Sequence, residues 1–245
     1  MKFKYYIPNT FTALNLTCGL VSITRIMDND MLTGALFIFF AVVFDFLDGI
    51  AARLLDARSE FGKVLDSLAD VVSFGAAPGI IIFKLLLFNC EGSCNFLDRY
   101  TLTPYFALLI PICAAMRLAR FNIDSRQSDH FIGLPTPANA IFFASVTLVI
   151  FLQDRFITLI PLHFLSTFLA STRVLVILTV FFAYLMISDF KMFSLKFASI
   201  GWKKNRLQYF FLMGSLLLLF IFSLSALPMI IILYLILSLV FQKEI

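Results

Sequence analysis

DFLDGIAARLLDARSEFGKVLDSLAD, residues 45–70, carries two spaced pairs of carboxylates, Asp45 with Asp48 and Asp66 with Asp70, in a 245-residue chain that is 61% hydrophobic. A carboxylate at membrane depth costs about 2.5–3.5 kcal/mol on insertion scales, so a group of them needs compensation. The spacing points to divalent metals. On a helix advancing about 100° per residue, Asp48 lies about −60° from Asp45, Gly49 about +40°, Ala52 about −20° and Arg53 about +80°, all on one face. In the next helix Gly62, Asp66 and Asp70 recur every fourth residue and stack along one stripe. Carboxylate pairs from two adjacent antiparallel helices converge on roughly four negative charges, which two Mg²⁺ or Mn²⁺ ions neutralise. Gly49 and Ala52 leave a shallow notch beside them, in which a flat ring fits against the backbone.

The rest of the chain reads as membrane. Mean hydropathy is +0.96, Phe numbers 31, and charged residues are only 14%, far below a soluble domain of this size. Apolar runs of transmembrane length predict an all-α polytopic helical bundle. Eight spans are expected, near 8–27, 32–53, 62–88, 102–121, 137–152, 173–190, 206–224 and 226–242. The fifth is short and the last two are parted only by the turn around Pro228, so the count lies between six and eight. The chain reads as a single domain over 1–245, with its motif at 45–70, a second polar region at 117–140 and C-terminal spans over 206–242. With a cytoplasmic N-terminus, all Lys and Arg except Arg25, Lys84, Arg99, Arg155 and Arg173 fall on the inside. That positive-inside bias puts the aspartates at the cytoplasmic end of the second and third spans. The N-terminal MKFKYYIPNTFTALNL lacks a small-residue cleavage site and is expected to stay as a span. The net charge of +4 suits loops on an anionic leaflet and calls for no nucleic acid.

Cys18 and Cys113 fall within spans as small packing residues. Cys90 and Cys94 share an outside loop, where a disulfide is open and zinc is excluded by the lack of further ligands. His163 reads as a loop residue, and His130 adjoins the second polar region.

Asp45, Asp48, Gly49, Ala52, Arg53, Gly62, Asp66 and Asp70 match D-x2-D-G-x2-A-R-x8-G-x3-D-x3-D at every defined position, and the chain thereby resembles the CDP-alcohol phosphatidyltransferases. The resemblance implies that Asp45, Asp48 and Asp66 bind one metal, and that Asp66 and Asp70 share the second. It makes Asp70 the base for the acceptor hydroxyl. Gly49, Ala52, Arg53 and Gly62 are then expected to hold the cytidine and phosphate side of CDP-diacylglycerol, with Ser59 by analogy, and Asn9 and Thr12 to complete the pocket. The resemblance implies a homodimer too; a cytoplasm-facing active site and no eukaryotic targeting signal point to a bacterial or archaeal plasma membrane, with membrane lipids around the protein.

The motif names the donor and leaves the acceptor open. DSLADVVSFGAAP at 66–78, MRLARFNID at 116–124 and FIGLPTPANA at 131–140 resemble the membrane-integral phosphatidylserine synthases, as do IPNTFTALNLTCG at 7–19 and YLMISDFKMFSLK at 184–196. An L-serine acceptor follows from that resemblance. Arg117 and Arg120, three apart on one helix face, suit bidentate capture of a carboxylate, with Asn122 adding a hydrogen bond. The arginines read equally as membrane-side anchors or partners of the aspartates. Pro135 and Pro137 make GLPTPA a rigid turn before the fifth span. Ser73, Gly75, Ala76 and Ala77 either admit a lipid chain or acceptor between helices or let helices pack closely. A phosphatidylglycerophosphate- or inositol-phosphate-type synthase is the alternative enzyme, and an inactive scaffold or transport protein the alternative of another class.

Overall fold

The computed structural model describes residues 3–57, 59–91, 102–123, 131–152, 163–193 and 205–241. α1 (Phe3–Met27) and α2 (Met31–Leu54) form an antiparallel hairpin. Their turn is set by Asn29, which takes φ 65°, and by Asp30, which accepts from the Thr33 N–H at 3.2 Å to cap α2. Lys84 reaches back from α4 and donates to the Met27 carbonyl at 3.3 Å and to Asn29 Oδ1 at 3.0 Å. It thereby satisfies a carbonyl at the end of α1 that the helix itself leaves open. Gly34 lets the two helices touch: a Cβ there would run into the Ile26 side chain and come within 3.2 Å of the Ser22 carbonyl.

At the other end α2 turns into α3 (Glu60–Asp70) within a few residues. Asp56 at φ 44° makes the bend, and the Lys4 ammonium donates to its carbonyl at 2.7 Å. Ser59 caps α3, its Oγ accepting from the Gly62 N–H at 3.0 Å. From Asp70 the chain runs on through a π-helical turn, Val71–Ala76, into α4 (Ala77–Glu91). A π turn inserts an extra residue and so rotates the helix beyond it relative to the helix before. The aspartate stripe above it and the small-residue face below it therefore point to different neighbours. A Cβ at Gly19 of α1 would collide with the Ser73 side chain and lie 2.8 Å from Ser73 Cα, and one at Gly75 would lie 3.1 Å from Ala114 Cβ and 3.3 Å from Pro111 Cα. Of the two sequence readings of this small-residue run, close helix packing is the one found, and Ser73 is fully buried with its hydroxyl donating to the Asn15 carbonyl.

A 3₁₀ turn, Thr103–Leu108, leads into α5 (Leu109–Ile123). β1 (Phe131–Ile132) pairs antiparallel with β2 (Lys191–Met192), Phe131 opposite Met192, a contact the hydrophobic pattern did not signal. Gly133, at φ 74°, follows β1 where a Cβ would be 2.7 Å from the Met186 carbonyl. α6 (Thr136–Leu152) has 17 residues, about 25 Å, less than the hydrocarbon thickness of a bilayer. It is sheathed by other helices, and Phe142, Phe143 and Phe182 of α8 form its aromatic core, with Phe142 and Phe182 stacked at 4.1 Å. A helix covered by protein need not match the bilayer itself, which accounts for the short fifth span.

α7 (His163–Ala170) and α8 (Thr172–Ile187) meet at a 71° bend. His163 thus begins a helix rather than sitting in a loop, and the span expected over 173–190 stops at Ile187. α9 (Arg206–Phe222) and α10 (Ala226–Val240) fold back on one another through Ser223–Ser225, with Gly214 against Leu233. The reversal uses Ser223 at φ 50°. Among the described residues five stretches are long and apolar enough to cross a bilayer, six if the bent pair is one span, with α9 and α10 counted together and the shorter α6 left out, so the expected eight is not reached on that measure. Large apolar side chains such as Phe40, Phe46 and Phe220 point outward, the surface of a protein solvated by lipid. Cys18 and Cys113 are buried and free. Cys90 belongs to the last turn of α4 rather than to a loop, while Cys94, and with it the pairing, and His130 lie outside the described residues.

Candidate active site

The α1–α2–α3 wall brings the motif together. Single carboxylate oxygens of Asp45, Asp48 and Asp66 lie within 4.8 Å of one another. Asp48 is buried, Asp45 and Asp66 half-buried. At an effective dielectric near 20, each ionised pair at this separation repels by about 3.5 kcal/mol, so the trio needs cations or protons to be stable. Asp66 Oδ1 is buried with no partner among the described residues. Three hard oxygen donors with an orphaned lone pair fit a divalent ion of the Mg²⁺ or Mn²⁺ kind.

Asp70 sits one turn deeper, about 6 Å along the helix from Asp66, and is buried outside that trio. Its Oδ1 accepts from Asn15 Nδ2 at 3.2 Å, and the buried Arg117 guanidinium of α5 is within electrostatic range of it. Thr12 donates to Asp48 Oδ2 at 2.8 Å. α1 therefore orients the second and fourth motif carboxylates through hydroxyl and amide donors. Asn15 was missed in the sequence reading, although Asn9, Thr12 and Asn15 at three-residue spacing form a polar stripe on an apolar helix.

In front of the trio opens a cavity of about 510 Å³ lined by Pro8, Asn9, Thr12, Asp48, Gly49, Ala52, Ala57, Ser59, Glu60, Gly62, Lys63 and Asp66. Asn9, Thr12, Gly49, Ala52, Ser59 and Gly62 are brought together as expected. Arg53 is not among the lining residues: its Nε donates back to the Gly49 carbonyl at 2.9 Å, and the side chain is exposed. Lys63 and Glu60 enter instead, supplying charges that the fixed motif does not specify. The two glycines differ in kind. A Cβ at Gly62 would press on Asn9 Oδ1 and Ser59 Oγ, both at 3.1 Å, so its smallness serves the α1–α3 approach. A Cβ at Gly49 would meet only Arg53 Nη2, at 3.9 Å. No packing demand explains Gly49, which leaves open space against its backbone.

The three residues expected at the acceptor do not converge. Arg117 is buried beside Asp70 and Tyr234, whereas Arg120 is exposed, donating to the Ile187 carbonyl at 2.9 Å and pairing with Asp189 at 3.4 Å. Asn122 Nδ2 donates to Ser67 Oγ at 2.8 Å, and its carbonyl accepts from the Lys63 ammonium. Three residues on a helix rotate the direction by about 60°, and the α8 terminus captures the outer arginine while the core keeps the inner one.

A sequence model of the family described as CDP-alcohol phosphatidyltransferase matches residues 5–178. Among curated proteins the chain is similar to a CDP-diacylglycerol–serine O-phosphatidyltransferase of Bacillus subtilis, 39% identical over 59% of this chain and 74% of that protein. A protein of the same name from Helicobacter pylori is 35% identical over 66% of this chain and 62% of its own length. An archaetidylserine synthase of Methanothermobacter thermautotrophicus is 33% identical over 60% of each.

Proposed function

The chain belongs to the CDP-alcohol phosphatidyltransferase family, and we propose that it transfers the phosphatidyl group of CDP-diacylglycerol to L-serine, yielding phosphatidylserine and CMP. The observation that carries this is the carboxylate trio at the back of a cavity with one glycine facing open space. Serine is the acceptor common to the names of the bacterial and archaeal relatives, while the lipid part differs between them. Those names favour neither a phosphorylated acceptor nor an inactive scaffold.

Asp45, Asp48 and Asp66 would hold one divalent ion, with Asp66 and Asp70 offering oxygens to a second. Bound there, the ions supply charge neutralisation at the pyrophosphate. Gly49 and Ala52 receive the cytidine, and Ser59, Asn9 and Lys63, residues of the cavity wall, hold the phosphates. The serine hydroxyl oxygen attacks the phosphorus that bears the diacylglycerol. The new O–P bond forms as the bond to the CMP oxygen breaks, Asp70 takes the hydroxyl proton, and CMP leaves with the bonding pair. Asn15 keeps Asp70 aimed. The protein sits in a prokaryotic plasma membrane as a homodimer with the cavity toward the cytoplasm, where both CMP and serine are soluble. The positive-inside pattern supports that orientation.

The test is CMP release from CDP-diacylglycerol by detergent-solubilised protein with Mg²⁺ or Mn²⁺. Serine should be required and phosphatidylserine should form mole for mole with CMP. A requirement for glycerol 3-phosphate or inositol phosphate in place of serine would overturn the proposal.

A further inference from the structure

Lys63, Ser67 and Asn122 close a ring of hydrogen bonds between α3 and the last turn of α5. The Lys63 ammonium donates to the Asn122 backbone carbonyl at 3.2 Å, the Asn122 side-chain nitrogen donates to Ser67 Oγ at 2.8 Å, and Ser67 Oγ donates to the Lys63 carbonyl, one turn back, at 3.2 Å. Each bond in the ring has a fixed sense. With its proton committed to the Lys63 carbonyl, the Ser67 hydroxyl accepts from Asn122, which turns the amide nitrogen toward it. The Asn122 carbonyl lies where α5 leaves its own carbonyls open and carries its negative end, a place that suits an ammonium.

The ring bears on the site through Lys63. Among the described residues that line the 510 Å³ cavity, Lys63 alone carries a positive charge, against Asp48, Glu60 and Asp66. Arg53, the cation that the motif specifies, is bonded to the Gly49 carbonyl of its own helix. Asn122 and Ser67 are not among the lining residues, so they act on the cavity through the lysine. The Lys63 side chain is exposed, and a free lysine of that kind samples many rotamers. The ring takes one of its three N–H donors, tethers the ammonium and leaves two donors for a phosphate. A cation tethered beforehand has less freedom to lose when an anionic ligand arrives.

We infer that Asn122 and Ser67 are positioning residues for the donor, holding the Lys63 ammonium at the cavity wall where it meets a phosphate of the CDP-linked lipid. This rests on the phosphatidyl-transfer reading above, in which Lys63 is a phosphate ligand. Asn122 then serves the donor, and not the acceptor carboxylate to which the sequence assigned it. The end of α5, the helix that also carries Arg117, is thereby fixed against the helix that carries Asp66 and Asp70.

The experiment is a mutant cycle in detergent, with the apparent KM for CDP-diacylglycerol and for serine as readouts and the thermal midpoint as the check of fold. Asn122→Ala and Ser67→Ala should each raise the donor KM by about fivefold, the loss of one hydrogen bond, while the serine KM stays within about twofold. Ser67→Thr, which keeps the hydroxyl, should retain the wild-type donor KM. Lys63→Ala should raise the donor KM by about 10-fold or more, and adding Asn122→Ala to it should change that value by less than about twofold, because nothing is left to position. The same factor for Asn122→Ala with and without Lys63 would show a merely structural residue and overturn the inference. A raised serine KM with an unchanged donor KM overturns it too and returns Asn122 to the acceptor. If Asn122→Ala does not fold, Ser67→Ala takes its place in the cycle, and loss of fold in both overturns the inference. Absence of CMP release by the wild type with any acceptor would sink the transfer reading itself, whereas an active wild type beside a Lys63→Ala variant of normal donor KM overturns this inference alone.

Discussion

The wall made by α1, α2 and α3 and the group made by α5, α6, α8 and α10 hold their polar residues in opposite ways. On the first, Thr12 and Asn15 are spent on carboxylates, Ser59 caps a helix, and Gly49 faces an open cavity. On the second, Thr136, Asn139 and Arg117 Nε are sealed in with unmet hydrogen bonds. The difference teaches that the donor side is a preformed, accessible receptacle built from one stretch of chain. The other side assembles from helices far apart in sequence.

The largest effect should come from the carboxylates that both sides share. Asp66→Asn, or rigorous chelation of the wild type, is expected to lower CMP release by about 10²–10³ or more, because losing a few kcal/mol of transition-state stabilisation is worth that factor. Near-normal turnover in EDTA after metal removal would break the reading of the trio as a metal centre.

Asp70→Asn asks to which side the fourth carboxylate belongs. Lying outside the trio and bonded to Asn15, it should cost about 10²-fold in kcat with little change in CDP-diacylglycerol binding. A loss confined to donor affinity would move Asp70 to the donor wall.

Gly49→Val and Arg117→Lys sharpen the comparison in a crossed design. The first should raise the donor KM by about 10-fold while leaving the thermal midpoint intact, since the new side chain enters the cavity rather than a neighbour. The second should raise the serine KM by about 10-fold with donor KM unchanged, a point charge replacing a planar fork. Each substitution shifting the other substrate's KM would show that the two sides are one pocket.

Arg120→Ala marks the small end. Its pairing with Asp189 is between largely exposed groups, worth about 0–1 kcal/mol, and serine KM should move less than about threefold. A larger shift would return Arg120 to the acceptor site.

How much was legible depends on reach along the chain. Asp45, Asp48, Gly49 and Asp66 are joined by two helical periods and one short turn, so their convergence could be read from spacing, whereas Asp70, expected to join them, lies one turn beyond the trio. Gly62 was legible as a position, although its reason, the close approach of α1 and Ser59, needed the neighbouring helix. Arg53 carried the right motif letter and folded back on its own helix. Arg117 and Arg120 looked equivalent on a helical wheel, which records direction and not what stands in that direction.

The residues alone determined a lipid-solvated helical bundle with a cluster of carboxylates suited to a metal, because apolar runs of bilayer length and i, i+3 and i, i+4 spacings act locally. Only the tertiary structure decided which helices are sheathed, that the small residues from Ser73 pack against α1 and α5, and that α9 and α10 fold back together. It also decided that Thr136 and Asn139 are buried without partners. Those outcomes depend on which distant helix arrives beside each side chain, and hydropathy, which scores a residue by its own chemistry, carries no record of its neighbours.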